Sequence, residues 1–268
     1  MYKLIALDLD DTLLGKDAQV HPTDKAALAA ARSAGVDVTF VTARSWRATR
    51  PYVEALSITA PVICMTGAVV YTPQGEPLHR CCIPLAEARR VAGRADRERW
   101  SCRLYFLDGR IYHSYRPDGY EPTLSAHAYP TNEYVGPVSP YLDGGEEPIQ
   151  IALLGSRSVE GALALLPEFP DVVATTYDRY TNVSRTHLMH RDVNKGAALA
   201  RYCAERGIAP EAVIAMGDGE TDRSMIEWAG AGVAMGWAPE ATRRAARLVT
   251  SADDPHPVAT ALQQLLGL

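Results

Sequence analysis

Acidic residues follow two short apolar runs that lie far apart in the chain. Residues 4–7 lead into Asp8 and Asp10, and residues 212–216 lead into Asp218. Such runs predict strands buried on both faces, and open α/β sheets bind ligands at the carboxyl ends of their strands. Neighbouring carboxylates repel unless one is protonated or a cation lies between them. One acidic strand end alone is more simply a turn, but two together predict a cluster that binds a hard divalent cation, most simply Mg²⁺.

A hydroxyl and two basic residues occupy similar junctions. Thr42 and Arg44 follow a third apolar run, and Lys195 begins a predicted helix. A hydroxyl with backbone N–H groups at a strand-to-helix junction suits a phosphate, although helix capping by Thr42 or Ser45 is the simpler explanation of this feature alone. The chain has four lysines against 23 arginines. A lysine suits a compact charge on a phosphoryl oxygen, and a solvated helix-start lysine is the simpler alternative.

The elements that must hold these residues alternate between strand and helix. The patterns predict strands at 4–7, 36–41, 61–65, 212–216, 232–235 and 248–250, and helices at 24–34, 194–205, 221–229 and 258–266, the first capped by Thr23. This alternation predicts an α/β fold, a Rossmann-like doubly wound parallel sheet.

The alternation stops in the middle of the chain. Residues 115–148 hold six prolines and four glycines with little periodicity. Long structureless loops are uncommon in compact domains, so we expect an inserted domain over 82–182. The α/β core then comprises residues 1–81 and 183–268.

Composition restricts the partners. The 268 residues carry 27 basic and 32 acidic side chains, a net charge of −5, with no basic run. This balance argues against nucleic acid and membrane surfaces as partners. The five cysteines show no C-x-x-C spacing, and we see no signal sequence or apolar run of transmembrane length, so we expect a cytoplasmic protein. The oligomeric state is not predicted.

Four ordered segments together resemble the motifs of the haloacid-dehalogenase-like superfamily, in its Mg²⁺-dependent phosphatase branch. They are Asp8-Leu9-Asp10-Asp11-Thr12-Leu13, Thr42, Lys195 and Gly217-Asp218-Gly219-Glu220-Thr221-Asp222. Thr66-Gly67-Ala68 and Gly232-Val233-Ala234-Met235-Gly236 are similar to segments of its Cof-type subfamily. That subfamily carries a large α+β cap between the second and third motifs, where we expect the insert. The cap selects the substrate.

The resemblance implies a role for each site residue. Asp8 is the expected nucleophile, and Asp10 the acid that protonates the leaving alcohol and then activates water. Mg²⁺ is expected on Asp8, the backbone carbonyl of Asp10, and Asp218. The expected substrate contacts are Thr42, Arg44, Lys195, Thr66 and Gly67, with Thr42 and Lys195 on phosphoryl oxygens. Behind them, Asp222 is expected to anchor Lys195 or a metal-bound water, with Thr221 beside it.

The implied function is Mg²⁺-dependent hydrolysis of a small phosphorylated metabolite, either a sugar phosphate or a phosphorylated cofactor, through an aspartyl-phosphate. A phosphomutase and a non-catalytic sugar-phosphate sensor are the alternatives, and Asp10 argues against a dehalogenase. Thr66, Thr221 and Trp237 stand where the family usually has Asn. These departures affect fine positioning and substrate choice more than the reaction.

Overall fold

The computed structural model describes residues 1–116, 134–177 and 184–267. By its internal contacts the chain divides into two compact units, Met1–His79 with Asn194–Leu268 and Arg80–Val193. The second unit ends at Val193, beyond the boundary expected at residue 182. Residues 117–133, 178–183 and 268 lie outside the described residues.

The first segment of the chain begins the α/β unit. Its elements are β1 (Leu4–Leu7), α1 (Pro22–Ser33), β2 (Asp37–Phe40), α2 (Trp46–Ala55), β3 (Val62–Cys64), β4 (Val69–Tyr71) and β5 (Pro77–Arg80). All four residues of β1 are buried, as its continuous apolar pattern predicts. Helix α1 begins earlier than expected. His21, and not Thr23, is its N-cap, because Pro22 fills the first helical position and the His21 ring accepts a hydrogen bond from the Thr23 N–H.

The inserted unit is an α+β structure. It contains α3 (Leu85–Glu98), β6 (Ser101–Tyr105), β7 (Ile111–His113), β8 (Gln150–Leu154), α4 (Ser156–Leu165), β9 (Val172–Tyr177) and β10 (Arg185–His190). The strands form an antiparallel sheet in the order β7-β6-β8-β10-β9. Alternate residues, among them Leu104, Ile151 and Leu188, form one buried core with Val91 of α3 and Ala162 of α4. The insert extends past residue 182 because β10 belongs to this sheet.

The last segment of the chain completes the α/β unit. It supplies α5 (Lys195–Ala204), β11 (Val213–Gly217), α6 (Arg223–Trp228), β12 (Ala231–Ala234), α7 (Glu240–Ala245), β13 (Leu248–Val249) and α8 (Pro257–Leu266). The parallel sheet has the order β13-β12-β11-β1-β2. The central strand β1 therefore lies between β2, from the same end of the chain, and β11, from the other end.

The third predicted strand behaves differently from the others. β3 meets the end of β2 through a single parallel bridge, between Val41 and Ile63. It then pairs antiparallel with β4, in a small sheet of order β3-β4-β5. The chain reverses through a 3₁₀ turn at Met65–Gly67, where Met65 and Thr66 take left-handed backbone angles. In the part of the chain that is described, no helix is long and apolar enough to cross a bilayer.

Candidate active site

The two acidic loops meet at one edge of the parallel sheet. Leu7 of β1 is opposite Met216 of β11, and the Asp8 N–H continues the pairing by donating to the Met216 carbonyl oxygen at 3.0 Å. The side chains of Asp8 and Asp218 are buried, as is that of Asp222. Carboxylate oxygens of these three residues all lie within 4.8 Å of one another.

Lys195 lies buried among these acids at the start of α5. Its Nζ donates to Asp8 Oδ1 at 2.6 Å and also to Asp222 Oδ1. Only 2% of the Lys195 surface is exposed. Burial alone would lower the pKa of Lys195, but the charges of Asp222 and Asp8 outweigh it and raise the pKa above its ordinary value. The ammonium group is therefore held in its charged form beside the Asp8 carboxylate.

The acids are too numerous for one lysine to neutralise. Burial, strengthened by the charge of Asp222, raises the pKa of Asp8 well above its usual range despite Lys195. Burial and the charges of Asp222 and Asp11 raise the pKa of Asp218 to about 7. Three buried carboxylates and one ammonium leave excess negative charge, and oxygen donors of this kind are those that Mg²⁺ prefers. The donor set therefore fits a divalent cation.

Asp222 has both of its oxygens engaged within the protein. While Oδ1 accepts from Lys195, Oδ2 accepts from the Asp218 N–H at 3.0 Å and the Gly219 N–H at 2.7 Å. The close packing needs Gly217, because a Cβ there would lie 2.4 Å from the Cβ of Asp222. Asp222 thus fixes both the lysine and the loop that carries Asp218.

The expected substrate contacts lie at the neighbouring turns. Thr42 is fully buried, and its hydroxyl accepts the Arg44 N–H at 3.1 Å. The Thr66 N–H donates to the Thr42 carbonyl, while Thr66 Oγ1 is buried and without a hydrogen-bond partner. Gly67 has a φ of +104°, and a Cβ there would lie 2.6 Å from the Asn194 carbonyl oxygen. The Met65–Gly67 turn therefore packs directly on the start of α5, beside Lys195.

Asp10 is oriented differently from the other acids. Its carboxylate forms an ion pair with Arg44 and is not part of the buried carboxylate cluster. β1 ends at Leu7, so the alternation of side chains along a strand does not extend to Asp8 and Asp10. The backbone of Asp11 turns into the left-handed region, with a φ of 57°.

Sequence reasoning missed two contacts of these loops. The Thr12 hydroxyl donates to Asp218 Oδ1 at 3.2 Å, which joins the two acidic loops directly. Trp237, in place of the family's usual Asn, donates its indole N–H to the Asp11 carbonyl oxygen at 3.0 Å. Thr221, the other departure beside the acids, precedes Asp222 in a 3₁₀ turn. Thr12 lies within the first family motif, and its place there could have indicated a contact with the second acidic loop.

Comparison with known proteins agrees with this arrangement. The family model for haloacid dehalogenase-like hydrolases matches residues 5–262. The chain belongs to this family. Its fold is the α/β fold of the family with an inserted α+β unit, which confirms the fold class expected from the sequence.

Relatives and solved structures cover nearly the whole chain. It is 28% identical over 262 residues to the pyridoxal phosphate phosphatase YbhA of Escherichia coli K12, covering 92% of each chain. It is 26% identical over 270 residues to the 5-amino-6-(5-phospho-D-ribitylamino)uracil phosphatase YitU of Bacillus subtilis 168, covering 99% of this chain and 98% of the relative. TM0651 from Thermotoga maritima has the same fold, with a TM-score of 0.81, 24% identity and coverage of 98% and 97%. The chain is a phosphoric monoester hydrolase of small phosphorylated metabolites.

Proposed function

We propose that this hydrolase is a Mg²⁺-dependent phosphatase that works through an aspartyl-phosphate on Asp8. The observation that carries the proposal is the buried Asp8 carboxylate, held by Lys195 at 2.6 Å beside Asp218 and Asp222. A fixed and buried carboxylate next to a cation is suited to attack phosphorus, since the cation offsets charge repulsion with the phosphate.

The residues that would hold Mg²⁺ are Asp8, Asp218 and the backbone carbonyl of Asp10. Both oxygens of Asp222 already accept hydrogen bonds, so its part is to orient Lys195 and the Asp218 loop. A bound Mg²⁺ ion supplies positive charge that reduces repulsion between the nucleophile and the phosphoryl group.

The reaction proceeds in two displacements. A carboxylate oxygen of Asp8 attacks phosphorus, the bond from phosphorus to the ester oxygen breaks, and the leaving oxygen takes a proton from Asp10. Water then attacks phosphorus and gives a proton to Asp10, and the bond between phosphorus and Asp8 breaks to release phosphate. Lys195 and the Thr42 hydroxyl donate to the phosphoryl oxygens in both displacements.

The remaining substrate contacts are proposed from the turns around Thr42. The Arg44 N–H donates to the Thr42 hydroxyl, and the buried hydroxyl of Thr66 has no hydrogen-bond partner among the described residues. A buried hydroxyl without a partner is costly unless a ligand or water meets it, so Thr66 is suited to contact the substrate, with the Gly67 backbone next to it.

We propose a phosphorylated cofactor or a sugar phosphate as substrate. The relatives named above act, by their names, on pyridoxal phosphate and on a phosphorylated ribitylaminouracil. A substrate panel therefore begins with phosphorylated heterocycles and continues with sugar phosphates. Cys64, Cys82, Cys102 and Cys203 are free thiols, which supports a cytoplasmic location.

Release of phosphate from p-nitrophenyl phosphate tests the function. We expect release with Mg²⁺, none with excess chelator, and none from Asp8→Asn, whose circular dichroism spectrum should match the wild type. Asp253→Asn, the same change at an exposed carboxylate, is the matched control and should keep full activity. With a sugar phosphate as the substrate instead, an isomerised phosphate ester without free phosphate would indicate a mutase, and binding without turnover would indicate a sensor.

A further inference from the structure

Both carboxylate oxygens of Asp10 are held by Arg44. Arg44 Nε donates to Asp10 Oδ2 at 2.8 Å, and Nη2 donates to Oδ1 at 2.5 Å. The Asp10 side chain is 42% exposed, so its own burial does not fix it. A bidentate guanidinium pair restricts rotation of the carboxylate, and it does so best when both oxygens are free to accept, as in the ionised form.

Arg44 is held in turn by Tyr52. The third nitrogen of the guanidinium group, Nη1, donates to Tyr52 Oη at 3.2 Å, and Arg44 Cζ lies 5.1 Å from the centre of the Tyr52 ring. The Tyr52 hydroxyl then donates to the Ala18 carbonyl oxygen at 3.1 Å. Since a phenol both donates and accepts, one hydroxyl joins α2, the guanidinium group and the segment that follows Asp10.

The segment that carries Ala18 is a short closed loop. The Gly15 N–H donates to the Gln19 carbonyl, and the Ala18 N–H donates to the Gly15 carbonyl. Leu14 and Val20 pair as an antiparallel bridge at its base. Tyr52 therefore hydrogen-bonds to a loop that is itself held by backbone hydrogen bonds. The series of hydrogen bonds from Ala18 through Tyr52 and Arg44 to Asp10 is thus anchored at Ala18.

We propose that Tyr52 is a positioning residue that acts through Arg44 to orient Asp10 for hydrolysis of the aspartyl-phosphate. This inference rests on the proposed function. In that step water attacks phosphorus, its proton passes to an Asp10 oxygen, and the bond from phosphorus to Asp8 breaks. The earlier step needs little help from Asp10 when the leaving group is p-nitrophenolate, which is stable as an anion.

The test is Tyr52→Phe, which keeps the ring and removes the hydroxyl. With p-nitrophenyl phosphate and Mg²⁺ we expect kcat to fall about tenfold, a part of the roughly 10²–10⁴-fold that a general base contributes. KM should fall by the same factor, because kcat/KM reports only the steps up to the covalent intermediate. A burst of p-nitrophenolate of about one per enzyme should appear as the intermediate accumulates.

Two further variants separate this role from a general loss of packing. Tyr202, with its ring 4.1 Å from Arg206 Cζ, is a buried tyrosine of the same unit, and Tyr202→Phe should leave kcat and KM unchanged. Arg44→Lys removes the bidentate pair between the guanidinium group and the Asp10 carboxylate. If Tyr52 acts through Arg44, adding Tyr52→Phe to Arg44→Lys should change kcat no further.

The outcomes separate the two proposals. An unchanged kcat in Tyr52→Phe, a fall of kcat and kcat/KM together without a burst, or additive effects in the double variant would overturn the positioning role while Asp8-dependent turnover of the wild type stood. A wild type without any phosphate release would overturn the proposed function and this role with it.

Discussion

Replacing Asp218 with Asn should stabilise the metal-free protein above neutral pH while weakening its binding of Mg²⁺. The Asp218 side chain is buried, and burial with the charges of Asp222 and Asp11 raises its pKa to about 7. Asn has the same shape and can still accept the hydrogen bond from Thr12 through Oδ1. The substitution therefore removes an unfavourable charge with little change in packing.

The magnitude follows from the difference between folded and unfolded states. The carboxyl of Asp218 has a pKa of 3.8 in an unfolded chain and about 7 in the fold. Below pH 4 it is protonated in both states and has no effect on stability. Between these values the folded state binds more protons, so stability falls as pH rises, by about 1.4 kcal/mol per pH unit. Above pH 7 the ionisation of Asp218 lowers the free energy of unfolding by at most about 4 kcal/mol. An Asn at this position carries no charge and does not cause this loss.

The assay is urea unfolding in excess chelator at pH 5, 6, 7 and 8. We expect the free energy of unfolding of Asp218→Asn to exceed that of the wild type by about 2–4 kcal/mol at pH 8, and by progressively less towards pH 5. Added Mg²⁺ should stabilise the wild type more than the variant. Asp253→Asn, at an exposed position, should show no such pH dependence. An Asn variant that is no more stable than the wild type at pH 8 would refute the reasoning.

Three other substitutions or treatments test packing within the α/β unit. Gly67→Ala should lower the free energy of unfolding by about 2–3 kcal/mol, because its Cβ would lie 2.6 Å from the Asn194 carbonyl; equal stability in urea would contradict this. Asp24→Ala should lower it by about 1–2 kcal/mol, because buried Asp24 accepts the Ala259 N–H at 2.8 Å in the first turn of α8; Asp24→Asn, which keeps an acceptor, should lose less. Burial raises the pKa of Cys64 to about 12, so iodoacetamide at pH 8 should modify it only in urea, as mass spectrometry would show; modification of the native protein would count against its burial.

Much of the α/β unit could be predicted because its strands are buried on both faces. Apolar runs such as residues 4–7 and 213–216 are distinct in the sequence, and the alternation with helices then determines a parallel sheet. The antiparallel pairing of β3 with β4 could not be predicted. It depends on left-handed backbone angles at Met65 and Thr66, and the β-branched Thr66 gives no sign of such a turn.

The acids of the site were predictable from their positions after strands, but their partners were not. Asp8, Asp218 and Lys195 come together because β1, β11 and the start of α5 bring them to one edge of the fold. The pairing of Asp10 with Arg44 depends on side-chain rotation and on residues 34 positions apart. Tyr52 has no motif and is recognisable only once α2 is placed beside the Asp10 loop.

The position of β1 between strands from opposite ends of the chain has a consequence for synthesis. Leu4 pairs with Asp37 on one side and with Val213 on the other. A nascent chain can form the first pairing early, but the other edge of this apolar strand stays without its partner until β11, which begins at Val213, has been translated. Exposed strand edges invite association with other chains, so the emerging polypeptide needs protection over this interval. Asp8 also lacks its ion pair with Lys195 until residue 195 has been made, so on the proposed mechanism activity can arise only after that point.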